Sequence, residues 1–253
     1  MLTNVKLKKI VYCYWANRFN CNQEDFTHPG TQVIIEEDFD ETDRVVLYYI
    51  DQMSVVRIAP NMAKRAGLTI GYDRELGSLM VAQLQKLIGG EYKIEAGTPL
   101  LDCYLYSEDF EPFAVPDDFS ARQLFPENDK FLLLDFYGQC TAEDLDEADI
   151  FVGKPDPVIF GLFDGDKMIA YASHRYWDNV IADMGVLVHP NYRRLGLGKA
   201  VVSELCRWSI ENDIVPMYRV FQEHVHSCRI QEALGFTEMV RIETLKLKKL
   251  DGK

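Results

Sequence analysis

The stretch HPNYRRLGLGKAVVSELCRW, residues 189–208, holds the side chains whose types and spacing are best suited to chemistry. Arg193, Arg194, Gly196 and Gly198 stand between an apolar β-rich run, VIADMGVLVHP (180–190), and an amphipathic helix predicted over 197–212. A helix N-terminus carries amide N–H groups without intrahelical partners and a partial positive charge. Glycines at 196 and 198 let an anion reach those groups, and the arginines add charge-assisted hydrogen bonds. The chemistry this spacing supports is the holding of a pyrophosphate.

Three simpler readings compete for the same residues. A Walker A loop needs G-x-x-x-x-G-K-[ST], but Gly198-Lys199 is followed by Ala200, and Arg193 stands where the first glycine belongs. The hydroxyl that would hold Mg²⁺ is missing, which disfavours a nucleotide hydrolase. A dinucleotide fingerprint needs a third glycine where this chain has Val201. A tight strand-to-helix turn without a ligand also fits two glycines.

The loop with its flanks resembles the GNAT N-acetyltransferases. Arg193-Arg194-Leu195-Gly196-Leu197-Gly198 matches their Arg/Gln-x-x-Gly-x-Gly/Ala loop, VLVHPNYRR resembles the strand leading into it, and HVHSCRIQEALGF (224–236) resembles their second block, which ends in Leu-Gly-Phe. The order of elements over about 119–250 fits as well. The resemblance implies a twisted, mainly antiparallel sheet flanked by helices and acetyl-CoA as acyl donor. Backbone groups of Val186, Leu187 and Val188 would pair with the pantetheine arm. The amides of Arg194, Leu195, Gly196, Leu197, Gly198 and Lys199 would cradle the pyrophosphate, the side chain of Arg193 or Arg194 would add charge-assisted bonds, and Ser227 would face the cofactor. The strands before and after the loop helix would splay to admit the thioester.

Direct acyl transfer needs a base to take a proton from the amine. By the resemblance Asp183 is the first choice, with Glu223 and His224 as alternatives; the family often has Asn at the position of His224. It often has a tyrosine general acid where this chain has Gln231, which cannot donate a proton as an acid, and Tyr218 is a substitute. His174, Tyr176 and Trp177 are read as acceptor-lining residues. Two functions follow: an N-acetyltransferase acting on an amine, or a non-catalytic acyl-CoA binder or sensor, which the missing tyrosine favours. No metal is called for.

The 253 residues suffice for two small domains, with 47% hydrophobic and 26% charged residues giving a normal core. A net charge of -13 argues against a nucleic-acid partner and suits a cationic acceptor. Lys6, Lys8 and Lys9 at one end, and Lys246, Lys248 and Lys249 at the other, read as solvated faces. Six cysteines without a C-x-x-C pair read as reduced cytosolic thiols, and IVYCYWA (10–16) is too short to span a bilayer. A soluble, cytoplasmic protein with no membrane partner is expected.

EDFEPFAVPDD (108–118) reads as a linker, which divides the chain into an N-terminal α/β domain, 1–112, and a GNAT-like domain, 113–253. The fold class is thus α+β, or mixed α/β. In the first part, VIIEE (33–37) is a strand, RVVLYYI (44–50) and SVVRIA (54–59) form a hairpin, 73–88 is one helix, and LLDCYLY (100–106) is a strand. IAPNMAKRAGL (58–68) echoes VHPNYRRLGLG, as a degenerate repeat of the same fold would. In the second part, two short helices precede a hairpin over 157–175 turned by Asp164-Gly165-Asp166. The strand, loop helix, strand and short helix follow, and an alternating strand ends the chain.

Overall fold

The computed structural model describes residues 3–39 and 44–250. The chain begins with α1 (Asn4–Phe19), β1 (Gly30–Ile35), β2 (Val45–Ile50), β3 (Met53–Ile58), α2 (Pro60–Ala66), β4 (Gly71–Asp73), α3 (Val81–Ile88), β5 (Tyr92–Ala96) and β6 (Leu100–Tyr104). It continues with β7 (Ser120–Leu124), α4 (Lys130–Gly138), α5 (Ala142–Glu147), β8 (Val158–Asp164), β9 (Lys167–Trp177) and β10 (Ile181–Val188). It closes with α6 (Leu197–Glu211), β11 (Val215–Phe221), α7 (Val225–Ala233) and β12 (Thr237–Lys249). Two compact units share these elements. One is Lys8–Asp102, Val220–His224 and Glu238–Lys253; the other is Met1–Leu7, Cys103–Arg219 and Val225–Thr237.

In the unit that holds most of the N-terminal half, the hairpin of β2 and β3 forms as predicted, with β1 parallel to β3 and β4 antiparallel to β1. β12 pairs antiparallel with both β2 and β5. The predicted helix over 73–88 forms only as α3. Asp73 belongs to β4, Gly77 takes a positive φ of 64°, and the Leu79 amide donates to the Ser54 and Thr31 hydroxyls at 2.8 and 3.0 Å. An amide held by buried hydroxyls cannot join a helix ladder, so α3 starts after Met80. α1 went unpredicted because its aromatic run hides the helical stripe. Leu7, Val11, Trp15 and Phe19 recur every fourth residue, and all are buried. α2 ends at Gly67, φ 69°. The glycine of the echo therefore closes a helix, whereas Gly196 opens one.

The other unit is built on β7, β8, β9, β10 and β11, in that order. β7–β8, β8–β9 and β9–β10 are antiparallel, and β10–β11 is parallel because α6 forms the crossover between them. This is the mainly antiparallel sheet the sequence predicts. Register sorts its side chains onto two faces. Ile159, Tyr171, Ser173, Arg175, Asp183 and Met217 share one; His174, Met184 and Tyr218 share the other. On the first face Leu133, Phe136 and Tyr137 of α4 pack with Tyr171, Ile159 and Leu187. On the second lies α6, whose Val201, Val202, Leu205 and Cys206 are fully buried, with Cys206 against Met184. Truncating Leu205 to alanine there costs about 2–5 kcal/mol.

Residues 108–118 have no regular structure, yet they are anchored within this unit. The Glu111 amide donates to Leu234 O, and the Phe113 amide to Ser203 Oγ on α6. Gly235 (φ 89°) is required there, since a Cβ would fall 1.9 Å from Asp109 O.

Candidate active site

β10 and α6 position the 189–196 loop between them. Pro190–Tyr192 form a short 3-10 turn, Arg194 has φ 68° and Gly196 φ 79°. Left-handed residues alternating in this way gather N–H groups into a concavity that suits an anion. Ala200 N donates to Gly196 O at the first turn of α6, so the amides of Leu197, Gly198 and Lys199 precede the helix ladder. Gly198 is needed for close packing, because a Cβ would lie 3.0 Å from Ile230 and 3.4 Å from Val188. The two arginines differ. Arg193 is a brace: its Nη2 lies 2.5 Å from Asp144 Oδ1 and its Nε donates to Val188 O. Asp144 also accepts the Thr141 amide in the predicted capping box of α5, so one carboxylate caps a helix and secures the loop. Arg194 is exposed. The Lys199 ammonium sits 4.2 Å from the centre of the Phe113 ring.

A slot opens next to the loop. β10 pairs with β11 from Ile181–Val215 to Met184–Tyr218 and shares no register with it beyond that point. Its other edge stays paired with β9 as far as Val188–Ala170. On the β11 side Gly185–Val188 thus have no register partner, and Val188 O already accepts from Arg193 Nε. Gly185 lets α5 approach the slot: a Cβ there would stand 2.4 Å from Ala148 O.

Asp183 lies two residues before the slot and is 7% exposed. Burial lifts its carboxyl to about 6, against the opposing charges of Arg219 and Arg175; Asp149 and Asp156 push the same way as burial. Arg219 Nη1 is 3.9 Å from Asp183 Oδ2 and its guanidinium covers the Trp177 ring. Arg175, the cross-strand partner of Asp183, is engaged elsewhere. It pairs with Asp149 at 2.7 Å and donates to Asp149 O, while Asp156 lies 3.8 Å from its Nε. Ser173 Oγ donates to Asp156. Asp183 therefore has charged neighbours but no short ion pair, an arrangement that leaves a carboxylate free to take a proton near neutrality.

Tyr218, on the opposite face, is 2% exposed and its hydroxyl faces Ser227 of α7. Burial pushes it far above the usual tyrosine range, so it stays protonated. Gln231 is buried on α7, and its Oε1 has no hydrogen-bond partner. Glu223 and His224 fall in the other unit. Glu223 accepts from Thr98 Oγ1 at 2.9 Å, and His224 meets the Phe221 ring edge-on.

The Acetyltransferase (GNAT) family model matches residues 121–236, the span that carries the loop, the slot and Asp183. This part of the chain is a GNAT acetyltransferase domain. No curated protein matches the chain. Solved structures similar to it include a GCN5-related N-acetyltransferase from Kribbella flavida, at 14% identity, TM-score 0.48 and coverage of 70% of this chain and 66% of that one. An acetyltransferase of the GNAT family from Colwellia psychrerythraea gives 17%, 0.48, 65% and 61%. The chain thus spans slightly less than two thirds of those two relatives. The yncA protein of Salmonella typhimurium, solved with its cofactor acetyl-CoA, gives 18% and 0.39 over 54% of this chain and 96% of that one.

Within the GNAT domain, the structure brings Asp183, Val186, Leu187, Val188 and the 193–199 loop onto one strand and the helix that follows it. Ser227 stands across from Tyr218. His174 does not line an acceptor slot. It is fully buried among α6 side chains, 3.3 Å from Ser209 Oγ and packed on Trp208, and burial lowers it to about 4. Arg175, Arg219, Asp149 and Asp156 escaped the sequence reading. Strand alternation through HRYW would have separated Arg175 and Trp177 from His174 and Tyr176.

Proposed function

We propose that this protein transfers an acetyl group from acetyl-CoA directly to a primary amine, with Asp183 as the general base. The observation that carries this reading is the end of the β10–β11 register one residue past a buried, loosely paired carboxylate. The residues suit CoA: a two-phosphate anion matches the amides at the start of α6, and an extended arm matches the open edge of β10. Acetyl-CoA supplies, when bound, the activated acyl group. Asp183 takes the proton of the ammonium from the face that α4 and α5 cover. The N–H groups at the start of α6 hold the pyrophosphate. Tyr218, on the face that α6 and α7 cover, offers its hydroxyl to the departing sulfur, a role Gln231 cannot fill. Base and acid thus act from opposite faces of one sheet.

The non-catalytic reading rests on the buried Gln231. Calorimetry and a thiol-release assay over an amine panel separate the two. Both predict acetyl-CoA binding that Gly196→Glu abolishes; transfer requires thiol release that Asp183→Asn removes while binding persists. Binding of ATP or NAD in place of acetyl-CoA would overturn both.

A further inference from the structure

A cavity of about 300 Å³ lies beside α4 on the same sheet face as Asp183. Pro126, Leu133, Leu134, Tyr137, Phe151 and Pro155 make its walls apolar, and Glu127 and Lys130 bring one charge of each sign. Leu134 is 40% and Phe151 59% exposed, so apolar surface is open to solvent. We propose that this cavity receives the apolar body of the acceptor, and that the acceptors are monoamines carried on an alkyl or aryl group rather than polycations. The inference rests on the acetyl-transfer reading above and names its substrate class.

One wall, Phe151, touches the charged cluster directly, and a second, Tyr137, reaches it through Tyr171. Phe151 lies under the Arg175 guanidinium, 5.5 Å from ring centre to carbon, and Arg175 is the strand partner of Asp183. Tyr137 meets Tyr171 edge-on at 5.7 Å, next to Ser173 and Asp156. An acceptor whose body fills the cavity and whose amine extends past Phe151 and Tyr137 would bring its polar end to the cluster. That cluster sets the carboxylates of Asp149, Asp156 and Asp183 against the guanidiniums of Arg175 and Arg219. With Asp183 ionised, one negative charge is in excess, enough for one ammonium. A second ammonium farther along the ligand would displace apolar contact with Leu133, Leu134 and Phe151 and meet the like charge of Lys130. Each methylene added to the body removes apolar surface from water, worth roughly fourfold in affinity.

The test uses the full chain with butylamine, hexylamine, phenethylamine and spermidine. With acetyl-CoA saturating, kcat/KM should climb roughly fourfold per methylene from butylamine to hexylamine, with phenethylamine accepted and spermidine at least tenfold poorer. Leu134→Trp, at a half-exposed position that tolerates bulk, should raise KM for hexylamine about tenfold or more and leave acetyl-CoA affinity and thermal unfolding unchanged. Leu134→Asp should do the same without filling the cavity. A flat alkyl series, a preference for spermidine, or hexylamine KM unmoved in both variants would overturn the inference. Hexylamine binding is also read by calorimetry on CoA-loaded protein. Binding weakened by both variants supports the cavity even where no acyl transfer occurs, a result that would remove only the catalytic reading. Hexylamine that fails to bind, or binds both variants as it does the parent, removes the inference.

Discussion

Replacing Arg219 by glutamine tests how Asp183 is tuned. Burial raises the Asp183 carboxyl to about 6, and the Arg219 charge is the foremost influence holding it down. At 3.9 Å the pair would interact by ~4 kcal/mol in a medium of effective dielectric 20. The Arg219 side chain is 35% exposed, so solvent screens the interaction to roughly 1–2 kcal/mol, about one pKa unit. The base works ionised, so the acidic limb of kcat/KM should move from near pH 6 in the parent to about one unit higher in Arg219→Gln. At pH 6 the variant should retain about one fifth of parental activity, and above pH 8 the two should converge. A pH profile of thiol release with acetyl-CoA saturating and the amine well below its KM reads this, and acetyl-CoA affinity by calorimetry serves as control. A limb that stays in place, or moves toward acid, would refute the assignment of Asp183 as a base poised by Arg219.

Two buried groups, His174 and Asp183, set the pH dependence of stability with opposite signs. His174 is held to about 4 in the fold, so its contribution is present above 6.5 and is lost as pH falls toward 4, up to about 3 kcal/mol. Asp183 is raised to about 6, so it contributes below 3.8 and costs stability as pH rises to 6. Asp183→Asn should then raise the urea midpoint at pH 8 by ~1–3 kcal/mol equivalents while removing turnover; an unchanged midpoint would contradict the burial cost. His174→Asn should flatten the loss of stability between pH 6.5 and 4, seen as urea midpoints that no longer fall with acid. Gly185→Ala should cost about 1–3 kcal/mol, since its methyl meets Ala148 O, and thermal unfolding at constant pH measures that.

The parts of the fold legible in the sequence are those dictated locally. Asp164-Gly165 turns a hairpin because Gly165 takes φ 56°, and Thr141 with Asp144 caps α5 as the spacing requires. The loop over 193–198 announces itself because two glycines precede an amphipathic helix. What stayed hidden depends on distant residues. Thr31 and Ser54 withdraw the Leu79 amide from α3 across 48 and 25 positions of sequence. The Asp183 surroundings join Asp149, Asp156, Arg175 and Arg219 through strand register and the chain after α5, and no local pattern marks those residues as a group. Arg193 could be recognised as a cation in a glycine-rich loop, but not as one already spent on Asp144.

Asp183 and Tyr218 point to opposite faces at the last two paired positions of β10 and β11; on the proposed acetyl-transfer reading, acceptor and acyl donor approach from those two faces. Neither has to enter or leave ahead of the other. Such a sheet supports random-order kinetics: initial-rate lines that intersect for both substrates, CoA competing with acetyl-CoA alone, and an acetylated product that can depart while CoA is still seated.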